Sequence, residues 1–295
     1  MTKTVANTEA IILFISKPSI NLIINICDIT LLYIKRLKIN YFFCVFEPHN
    51  MNEIAIIIPS RLSAKRLPNK PLKTINNKEM ILHVYEAAKK TNSGEVYVAT
   101  PNQKIIDLIN DNGGTAIQTS SDHKTGTDRV YEVFKNQLKS LPRVIVNLQG
   151  DMPNINPKAI TDLISYMNEG KCDIGTLASS FTSDKEILEE NNVKVALNEE
   201  LKNNQFGKAI DFFRKEEKIY KYFYHHIGIY AFTNKALVRY VSLKRSKLEL
   251  ERKLEQMRAL ENSMTIHVGY INSSPLSVDT KSDLTEVRKI MEKNG

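Results

Sequence analysis

An α/β fold with a mostly parallel, Rossmann-like sheet and a smaller antiparallel sheet region is predicted by two features of the sequence. From Met51 onward, short apolar runs rich in β-branched residues alternate with segments of helical periodicity, which is the pattern of βαβ units. The composition agrees, because 42% hydrophobic and 25% charged residues are ordinary values for a folded domain. With only 11 glycines and 10 prolines, the chain is not fibrous or dominated by linkers.

The first half of this region has the clearest alternation of strands and helices. An apolar run directly after Met51 gives the first strand, and each later strand follows a helix-like segment. The predicted strands are Glu53–Ile58, Glu95–Thr100, Thr115–Thr119 and Arg143–Leu148, and the predicted helices are Lys78–Thr91, Gln103–Asn112 and Thr127–Lys139.

The second half is less regular, and several of its strands are expected to be antiparallel. Leu250, Leu254 and Met257 recur at helical spacing in a charged stretch, which predicts an amphipathic helix over Ser246–Glu261. The other predicted elements are the strands Asp173–Ser180, Val193–Asn198, Phe206–Phe213, His226–Phe232 and Thr265–Ile271, and a last helix, Ser282–Lys293. Since no repeat or low-complexity linker interrupts them, 51–295 is predicted to be one domain.

Residues 1–50 differ from the rest of the chain. Apolar residues crowd between Ile11 and Phe46, but charged residues interrupt them before any run reaches the roughly 18–20 residues of a spanning helix. Glu9 precedes the apolar region and the main basic cluster follows it, which is not the charge order of a secretory signal. We expect 1–50 to be an upstream translated extension, with Met51 as the true start; a membrane-surface anchor is the alternative.

Charge and cysteine usage limit the possible partners and the compartment. A formal net charge of +8 indicates anionic partners, without choosing among nucleic acid, a membrane surface and phosphorylated small molecules. The three cysteines, at 27, 44 and 172, form no CxxC spacing and are too few for a disulfide framework. A reducing compartment is therefore expected.

A basic loop follows the first strand and is the strongest local signal. Five basic residues and no acidic one lie between Arg61 and Lys73, and ligands of open α/β sheets bind beyond the carboxyl ends of strands. No glycine precedes Gly94, so a glycine-rich phosphate cradle is absent and side-chain cations would have to hold a triphosphate. The alternative is a solvated basic loop.

Two aspartates are candidate Mg²⁺ ligands. Asp151 ends an apolar strand through Gln149 and Gly150, and Asp279 precedes the last helix. Mg²⁺ prefers one or two carboxylates together with phosphate oxygens of a substrate. Each aspartate could instead start a turn or cap a helix.

Two further motifs are ambiguous when taken alone. The polar segment Asp122–Arg129 opens a helix, so Thr125 or Thr127 could be a simple N-cap. The pair His225 and His226 lies in a β-rich run without a third residue at metal spacing, which favours a structural role.

The order of these motifs is more specific than any one of them. A basic loop after the first strand, then His-x-x-Gly-Thr-x-Arg, Gln-Gly-Asp-x-Pro, His-x-Gly-Ile-Tyr, Leu-Glu-Gln-x-Arg and Val-Asp-Thr-x-x-Asp-Leu, closely resembles the CMP-Kdo synthetases, the 3-deoxy-manno-octulosonate cytidylyltransferases. The resemblance runs from about Ile54 to the C-terminus. It implies a fold of the nucleotide-sugar transferase type and the synthesis of CMP-Kdo and pyrophosphate from CTP and Kdo with Mg²⁺.

The resemblance also implies roles for individual residues. Arg61 and Lys70 match the basic residues on the triphosphate, with Arg66 nearby, and Asp151 and Asp279 match the metal-binding pair. Within Asp122–Arg129, the implied contacts of the cytosine nucleotide are Thr125 and Arg129. The positions that match the Kdo contacts are Gln149, His226, Tyr230, Glu255 and Gln256.

The chain departs from the family pattern at three places. Asn69 stands where the family usually has glycine, and asparagine tolerates a positive φ well. Met152 replaces a glutamate beside the metal aspartate, which removes a charge near the expected ion. The Arg-Ala-x-Ile-Pro stretch is eroded after Arg214, the residue implied to meet the sugar carboxylate.

Other functions remain open at this point. A cytidylyltransferase for another acid sugar such as neuraminate, an inactive homologue and a basic nucleic-acid-binding module are the alternatives. Against the last, the basic residues concentrate in one loop and no RRM or helix-turn-helix signature is present. The resemblance implies a cytoplasmic homodimer that supplies lipopolysaccharide synthesis, with no nucleic-acid partner and no membrane partner for 51–295.

Overall fold

The computed structural model describes residues 53–293 apart from 65, 139–140, 204 and 216–219. Residues 1–50, predicted to be an extension, lie outside the described residues, so the boundary at Met51 stays a prediction.

Within the described residues, nine strands form one mixed sheet in the order β5-β4-β1-β6-β10-β7-β11-β9-β8, and β2 and β3 form a separate antiparallel pair. The strands are β1 Ile54–Pro59, β2 Thr74–Ile75, β3 Lys78–Glu79, β4 Glu95–Thr100, β5 Ala116–Gln118, β6 Val144–Asn147, β7 Ile174–Ser179, β8 Lys194–Leu197, β9 Phe206–Phe213, β10 Tyr222–Thr233 and β11 Ile266–Tyr270.

Helices connect these strands and cover the sheet. They are α1 Met80–Lys90, α2 Gln103–Asp111, α3 Gly126–Asn136, α4 Pro157–Asn168, α5 Asp184–Leu188, α6 Asn234–Ser242, α7 Lys247–Arg252, α8 Gln256–Glu261 and α9 Lys281–Lys293. Two large clusters of buried apolar residues contain alternate residues of β1: Ile56 and Ile58 belong to one cluster, Ala55 and Ile57 to the other. Both faces of β1 are therefore covered, which explains its continuous apolar run.

The first half of the sheet is parallel and places the loops that matter for function. β1 pairs in parallel with β4 on one side and with β6 on the other. Ile57 lies opposite Asn147 in this register, so β1 and β6 end side by side. The loops that follow these two strands therefore leave from the same edge of the sheet.

The second half of the sheet is largely antiparallel and is joined to the first half through β10. This long strand pairs in antiparallel fashion with β6, β7 and β8. Its register with β7 shifts between Ile227 and Tyr230, which marks a β-bulge. The predicted fold class is confirmed, and the antiparallel strands continue the parallel sheet itself.

One predicted helix is wrong, and other helices were not predicted. The stretch Ser246–Glu261 holds two short helices, α7 and α8, because Lys253 adopts a left-handed conformation with φ of 56°. The helical spacing indicated a single helix because it counted Leu250 as part of the buried face, whereas Leu250 is 55% exposed. The unpredicted helices α4 and α6 begin at capping side chains, those of Asn156 and Thr233.

In the part of the chain that the structure describes, none of the helices has the length and apolarity needed to span a membrane.

Candidate active site at the carboxyl ends of the parallel strands

Three segments that are distant in sequence meet at the carboxyl edge of β1 and β6. The loop after β1 carries Lys70, and the segment after β6 carries Asp151. The backbone N–H of Val278 donates to the carbonyl of Asp151 at 2.9 Å, which brings the neighbouring Asp279 to the same place. The two predicted metal aspartates are therefore brought together by a backbone contact.

Lys70 joins the two aspartates through its ammonium group. Its Nζ lies 2.8 Å from Oδ2 of Asp151 and 3.0 Å from Oδ1 of Asp279. Arg66 adds a bond from Nη2 to Oδ2 of Asp279 at 2.9 Å. Burial opposes the charged form of Lys70, but the two carboxylates outweigh it and raise the pKa of Lys70 above its ordinary value. Two of the predicted loop cations, Lys70 and Arg66, thus form one charge cluster with the two aspartates.

Asp279 is not explained by helix capping. The N–H groups of Asp279 and Thr280 both donate to the carboxylate of Asp283, and the Thr280 hydroxyl accepts from the N–H of Asp283. The start of α9 is therefore capped by Thr280 and Asp283, whereas the Asp279 carboxylate faces Arg66 and Lys70.

Asn69 supports the position of Lys70. It adopts φ 55° and ψ 31°, a left-handed conformation, directly before a short 3-10 turn over Lys70–Leu72. Asparagine is among the residues that tolerate this region best. The expectation that asparagine can stand in the place of the family's glycine is confirmed.

A cavity of about 260 Å³ opens beside this cluster and is lined largely by residues that the sequence singled out. Its lining consists of Pro59, Ser60, Arg61, Ala64, Lys70, Pro71, His123, Thr125, Gly126, Arg129, Gln149, Gly150 and Asp151. Arg61 has no ion-pair partner among the described residues, so its guanidinium group is open to an anion. Burial and the nearby charge of Arg61 lower the pKa of Arg129. An anionic ligand would relieve this repulsion.

The segment predicted to hold the nucleotide is held in place by hydrogen bonds at the start of α3. Thr125 is the N-cap of this helix and accepts from the N–H of Asp128 at 3.1 Å, so its capping role is real. Nη1 of buried Arg129 donates to the hydroxyl of Thr119 and to the carbonyl of Ser120, the latter at 2.9 Å. Thr125 and Arg129 therefore shape the cavity wall.

Glu132, which the sequence analysis missed, adds further hydrogen bonds here, including one to His123, the first residue of the His-x-x-Gly-Thr-x-Arg motif. The Glu132 carboxylate accepts from the N–H of Ser120 at 3.0 Å and bonds to Nε2 of His123. Burial opposes ionisation of Glu132, but these bonds outweigh it and lower its pKa. The spacing of three residues between Arg129 and Glu132, which puts both on one helix face, could have indicated this pair.

Among the residues predicted to bind the sugar, Gln149 lines the cavity, and a series of hydrogen bonds connects it to Glu255. Nε2 of Gln149 donates to Oδ1 of Asn147 at 3.0 Å, and Nδ2 of Asn147 donates to the hydroxyl of Thr127 at 3.3 Å. That hydroxyl donates to Oε2 of Glu255 at 3.0 Å. Asn147 and Thr127 were not predicted as site residues.

His226 and Tyr230 flank the bulge in β10, with ring centroids 5.5 Å apart. The Thr176 hydroxyl donates to the carbonyl of Ile229 at 2.7 Å, so Nε2 of His226 donates to that hydroxyl at 2.9 Å. Burial, reinforced by His225, lowers the pKa of His226 to about 3, and burial raises the pKa of Tyr230. Both rings are therefore neutral hydrogen-bonding groups at physiological pH. Gln256, the residue after Glu255, is also buried.

Two departures from the family pattern have a structural outcome. Met152 is 3% exposed and its side chain belongs to the hydrophobic core, whereas the expectation that the missing charge weakens metal binding stays a prediction. Nη1 of Arg214 donates to the carbonyls of Glu190 and Asn191 at 3.1 and 3.0 Å. Arg214 lines a second cavity of about 290 Å³ with Lys194 and Phe213, and is not part of the first lining.

The donor set at the charge cluster fits a hard divalent cation. Among the described residues, no three His, Cys, Asp or Glu side chains gather into a metal-binding group, which leaves two carboxylates, Asp151 and Asp279. The Lys70 ammonium between them shows that a cation can bond both at once. Two carboxylates beside a cavity lined by cationic side chains match the preference of Mg²⁺ for carboxylates together with phosphate oxygens.

The fold, with cations and paired carboxylates at the strand ends of its sheet, is that of a nucleotidyltransferase, and residues 55–266 match the cytidylyltransferase family. A 3-deoxy-manno-octulosonate cytidylyltransferase of Bartonella henselae is 41% identical over 241 residues, which cover 81% of this chain and 98% of that protein. A protein of the same name from Rickettsia bellii is 41% identical over 246 residues, or 82% of this chain and 97% of its own. A solved structure of CMP:2-keto-3-deoxy-manno-octonic acid synthetase complexed with CTP matches with a TM-score of 0.74 and 34% identity, covering 82% of this chain and all of its own.

The chain therefore belongs to the 3-deoxy-manno-octulosonate cytidylyltransferase family.

Proposed function

We propose that this protein transfers the cytidylyl group of CTP to the anomeric hydroxyl of 3-deoxy-D-manno-octulosonate (Kdo) and releases pyrophosphate. The observation that carries the proposal is the joining of Lys70, Asp151 and Asp279 beside a cavity lined by Arg61 and Arg129. In the reaction, the anomeric oxygen forms a bond to the α-phosphorus while the bond from that phosphorus to the leaving pyrophosphate breaks. The proton of the anomeric hydroxyl is released.

The basic residues are suited to the leaving group. Arg61 and Lys70 would bond to the β- and γ-phosphates and stabilise the negative charge that develops as pyrophosphate departs. Arg66, which pairs with Asp279, lies nearby. No nucleophilic side chain is needed, because the sugar hydroxyl is the nucleophile. The lining residues of α3 and its preceding loop would hold the cytidine, with Thr125 and Arg129 as the nearest contacts.

Asp151 and Asp279 would hold Mg²⁺. When bound, such an ion screens the charge of the α-phosphate against the incoming oxygen. The chain's own contribution is to gather two carboxylates at the edge of the cavity, with Lys70 in place to move to the phosphates.

The acceptor sugar would lie next to Gln149. Its hydroxyl groups would meet neutral or acceptor groups, and its carboxylate would meet Arg214. The proposed sugar contacts are Gln149, His226, Tyr230, Glu255 and Gln256, with Arg214 for the carboxylate. Since His226 has a pKa of about 3, it would act as an uncharged hydrogen-bonding partner.

The resemblance alone supports two further proposals. We propose that the enzyme works as a homodimer and in the cytoplasm, where its product would feed lipopolysaccharide assembly. Light scattering of the purified protein and fractionation of the native cells test these two points.

Pyrophosphate release from CTP tests the proposed function directly. The protein is assayed with no sugar, with Kdo or with neuraminate, and each arm is run with Mg²⁺ or with EDTA. The proposal expects release that needs both Kdo and Mg²⁺. Release with neuraminate in place of Kdo would identify another acid-sugar transferase, and no release in any arm would identify an inactive homologue.

A further inference from the structure

A continuous chain of hydrogen bonds runs from the cavity wall to Glu255. It passes from Gln149 through Asn147 and Thr127, over bonds of 3.0, 3.3 and 3.0 Å. The two inner members are buried, Asn147 at 1% and Thr127 at 5% exposure. Water is therefore kept from these bonds, and each group depends on its neighbour for a partner.

The chain has one direction. Thr127 has a single hydroxyl proton, which goes to the Glu255 carboxylate, so its oxygen must accept from the Nδ2 amide of Asn147. The Oδ1 of Asn147 then accepts from Nε2 of Gln149. This order fixes the orientation of the Gln149 amide and leaves its Oε1 and one N–H for a ligand.

Thr127 also belongs to the nucleotide side of the site. It stands in the first turn of α3, between Gly126, which lines the cavity, and Arg129, which lines it further on. Its hydroxyl reaches Glu255 at the junction between α7 and α8, far along the sequence. The backbone carbonyl of Glu255 is held independently by the Tyr240 hydroxyl at 3.0 Å.

We propose that Thr127 and Asn147 are positioning residues for the acceptor sugar, which hold Gln149 and Glu255 in one relative orientation without touching the substrates. The proposal rests on the proposed function, because it takes Gln149 and Glu255 as sugar contacts. The nucleotide contacts of α3 do not depend on the Thr127 hydroxyl, since Thr125 caps the helix and Arg129 is held by Thr119 and Ser120.

The test replaces Thr127 with valine, which keeps the shape and removes the hydroxyl. A hydrogen bond to a charged group supports roughly a tenfold or larger effect, so KM for Kdo should rise about tenfold while KM for CTP changes less than about twofold. Thr127→Ser keeps the hydroxyl and should restore both values.

Thr265→Val is the matched control. The Thr265 hydroxyl likewise donates to a carboxylate, Oδ2 of Asp173 at 2.9 Å, and accepts from a backbone N–H, but it joins β7 and β11 away from the cavity. This variant should lose comparable stability and keep both KM values.

A pH profile adds a readout that a purely structural role would not move. Burial raises the pKa of Glu255 and the Thr127 bond opposes this rise. The groups around Glu255 are Asp128 on α3, Arg258 and Glu249 on α8 and α7, Tyr240 on α6 and Tyr230 on β10. Removing the Thr127 hydroxyl should therefore raise the pKa of Glu255. As the pH is lowered, binding of Kdo should begin to weaken at a higher pH in Thr127→Val than in the wild type.

The outcomes separate this inference from the proposed function. If the wild-type protein releases pyrophosphate with Kdo but Thr127→Val leaves both KM values unchanged, or raises KM for CTP instead, the positioning role is overturned. If the wild-type protein shows no Kdo-dependent release, the proposed function fails and this inference with it. Should the valine variant not fold, Thr127→Ala carries the same comparison, and unchanged KM for Kdo there contradicts the inference equally.

Discussion

Replacing Lys70 with alanine removes the ammonium group that bonds both Asp151 and Asp279, and it should affect turnover and stability together. The Lys70 side chain is only 16% exposed, and its two bonds measure 2.8 and 3.0 Å. Without Lys70, two carboxylates face each other at close range, and such losses at partly buried sites cost about 2 kcal/mol. In a domain of this size this is a fall of roughly 4–8 °C in Tm. Turnover should fall by roughly 10²-fold or more, because the leaving pyrophosphate loses a preorganised cation.

The assay measures Tm and pyrophosphate release with and without Mg²⁺. A divalent ion can take the place of the ammonium group, so Mg²⁺ should raise the Tm of Lys70→Ala more than that of the wild type. Lys78→Ala is the control: its Nζ bonds Glu86 at 2.7 Å on a half-exposed surface, and its loss should cost about 1 kcal/mol or less and leave turnover intact. Normal pyrophosphate release by Lys70→Ala would show that this ammonium group does not stabilise the leaving group.

Three further predictions follow from the structure. Asp151→Asn and Asp279→Asn should each abolish Mg²⁺-dependent turnover, and the double variant should be little worse than either, because both carboxylates act at one site. The measurement is a Mg²⁺ titration of pyrophosphate release. Activity retained in either variant would contradict a shared site. Met152→Glu should lower the free energy of unfolding by more than about 2 kcal/mol in urea without tightening Mg²⁺ binding, since its side chain lies in the core; tighter binding at unchanged stability would contradict this placement. His226 has an ordinary pKa of about 6.5 when unfolded and about 3 when folded, so its stability contribution is complete above pH 6.5 and is lost as the pH falls toward 3. In urea denaturation, the difference in the free energy of unfolding between the wild type and His226→Gln should therefore shrink by about 2 kcal/mol from pH 7 to pH 5. A difference that stays constant would show that His226 has an ordinary pKa in the folded protein.

The sequence predicts the parallel half of the fold well because each signal there is local. The run Ile54–Pro59 has no polar residue, and a strand covered on both faces needs none. The predicted helix Ser246–Glu261 failed because Lys253, a residue type with no special preference for a positive φ, adopts a left-handed conformation directly before the buried Leu254. Periodicity alone does not report such a break.

The candidate site was predictable as a set of residues but not as a network. The resemblance supplies Lys70, Asp151 and Asp279, and the geometry adds that one ammonium group joins the two carboxylates. The roles of Asn147 and Thr127 depend on a strand register and on a contact between distant helices, which no local pattern encodes. Met152 shows that the sequence also leaves packing unseen, because the pattern reports a missing charge beside Asp151 but not that the Met152 side chain packs in the core.

The product formed from CTP and Kdo identifies the reaction of this protein. The protein is incubated with CTP, Kdo and Mg²⁺, and the mixture is followed by ³¹P NMR and mass spectrometry. We predict one phosphodiester product with the mass of CMP-Kdo, formed in equal amount with pyrophosphate and absent when Kdo or Mg²⁺ is omitted. Formation of free CMP without Kdo, or no consumption of CTP at all, would contradict this prediction.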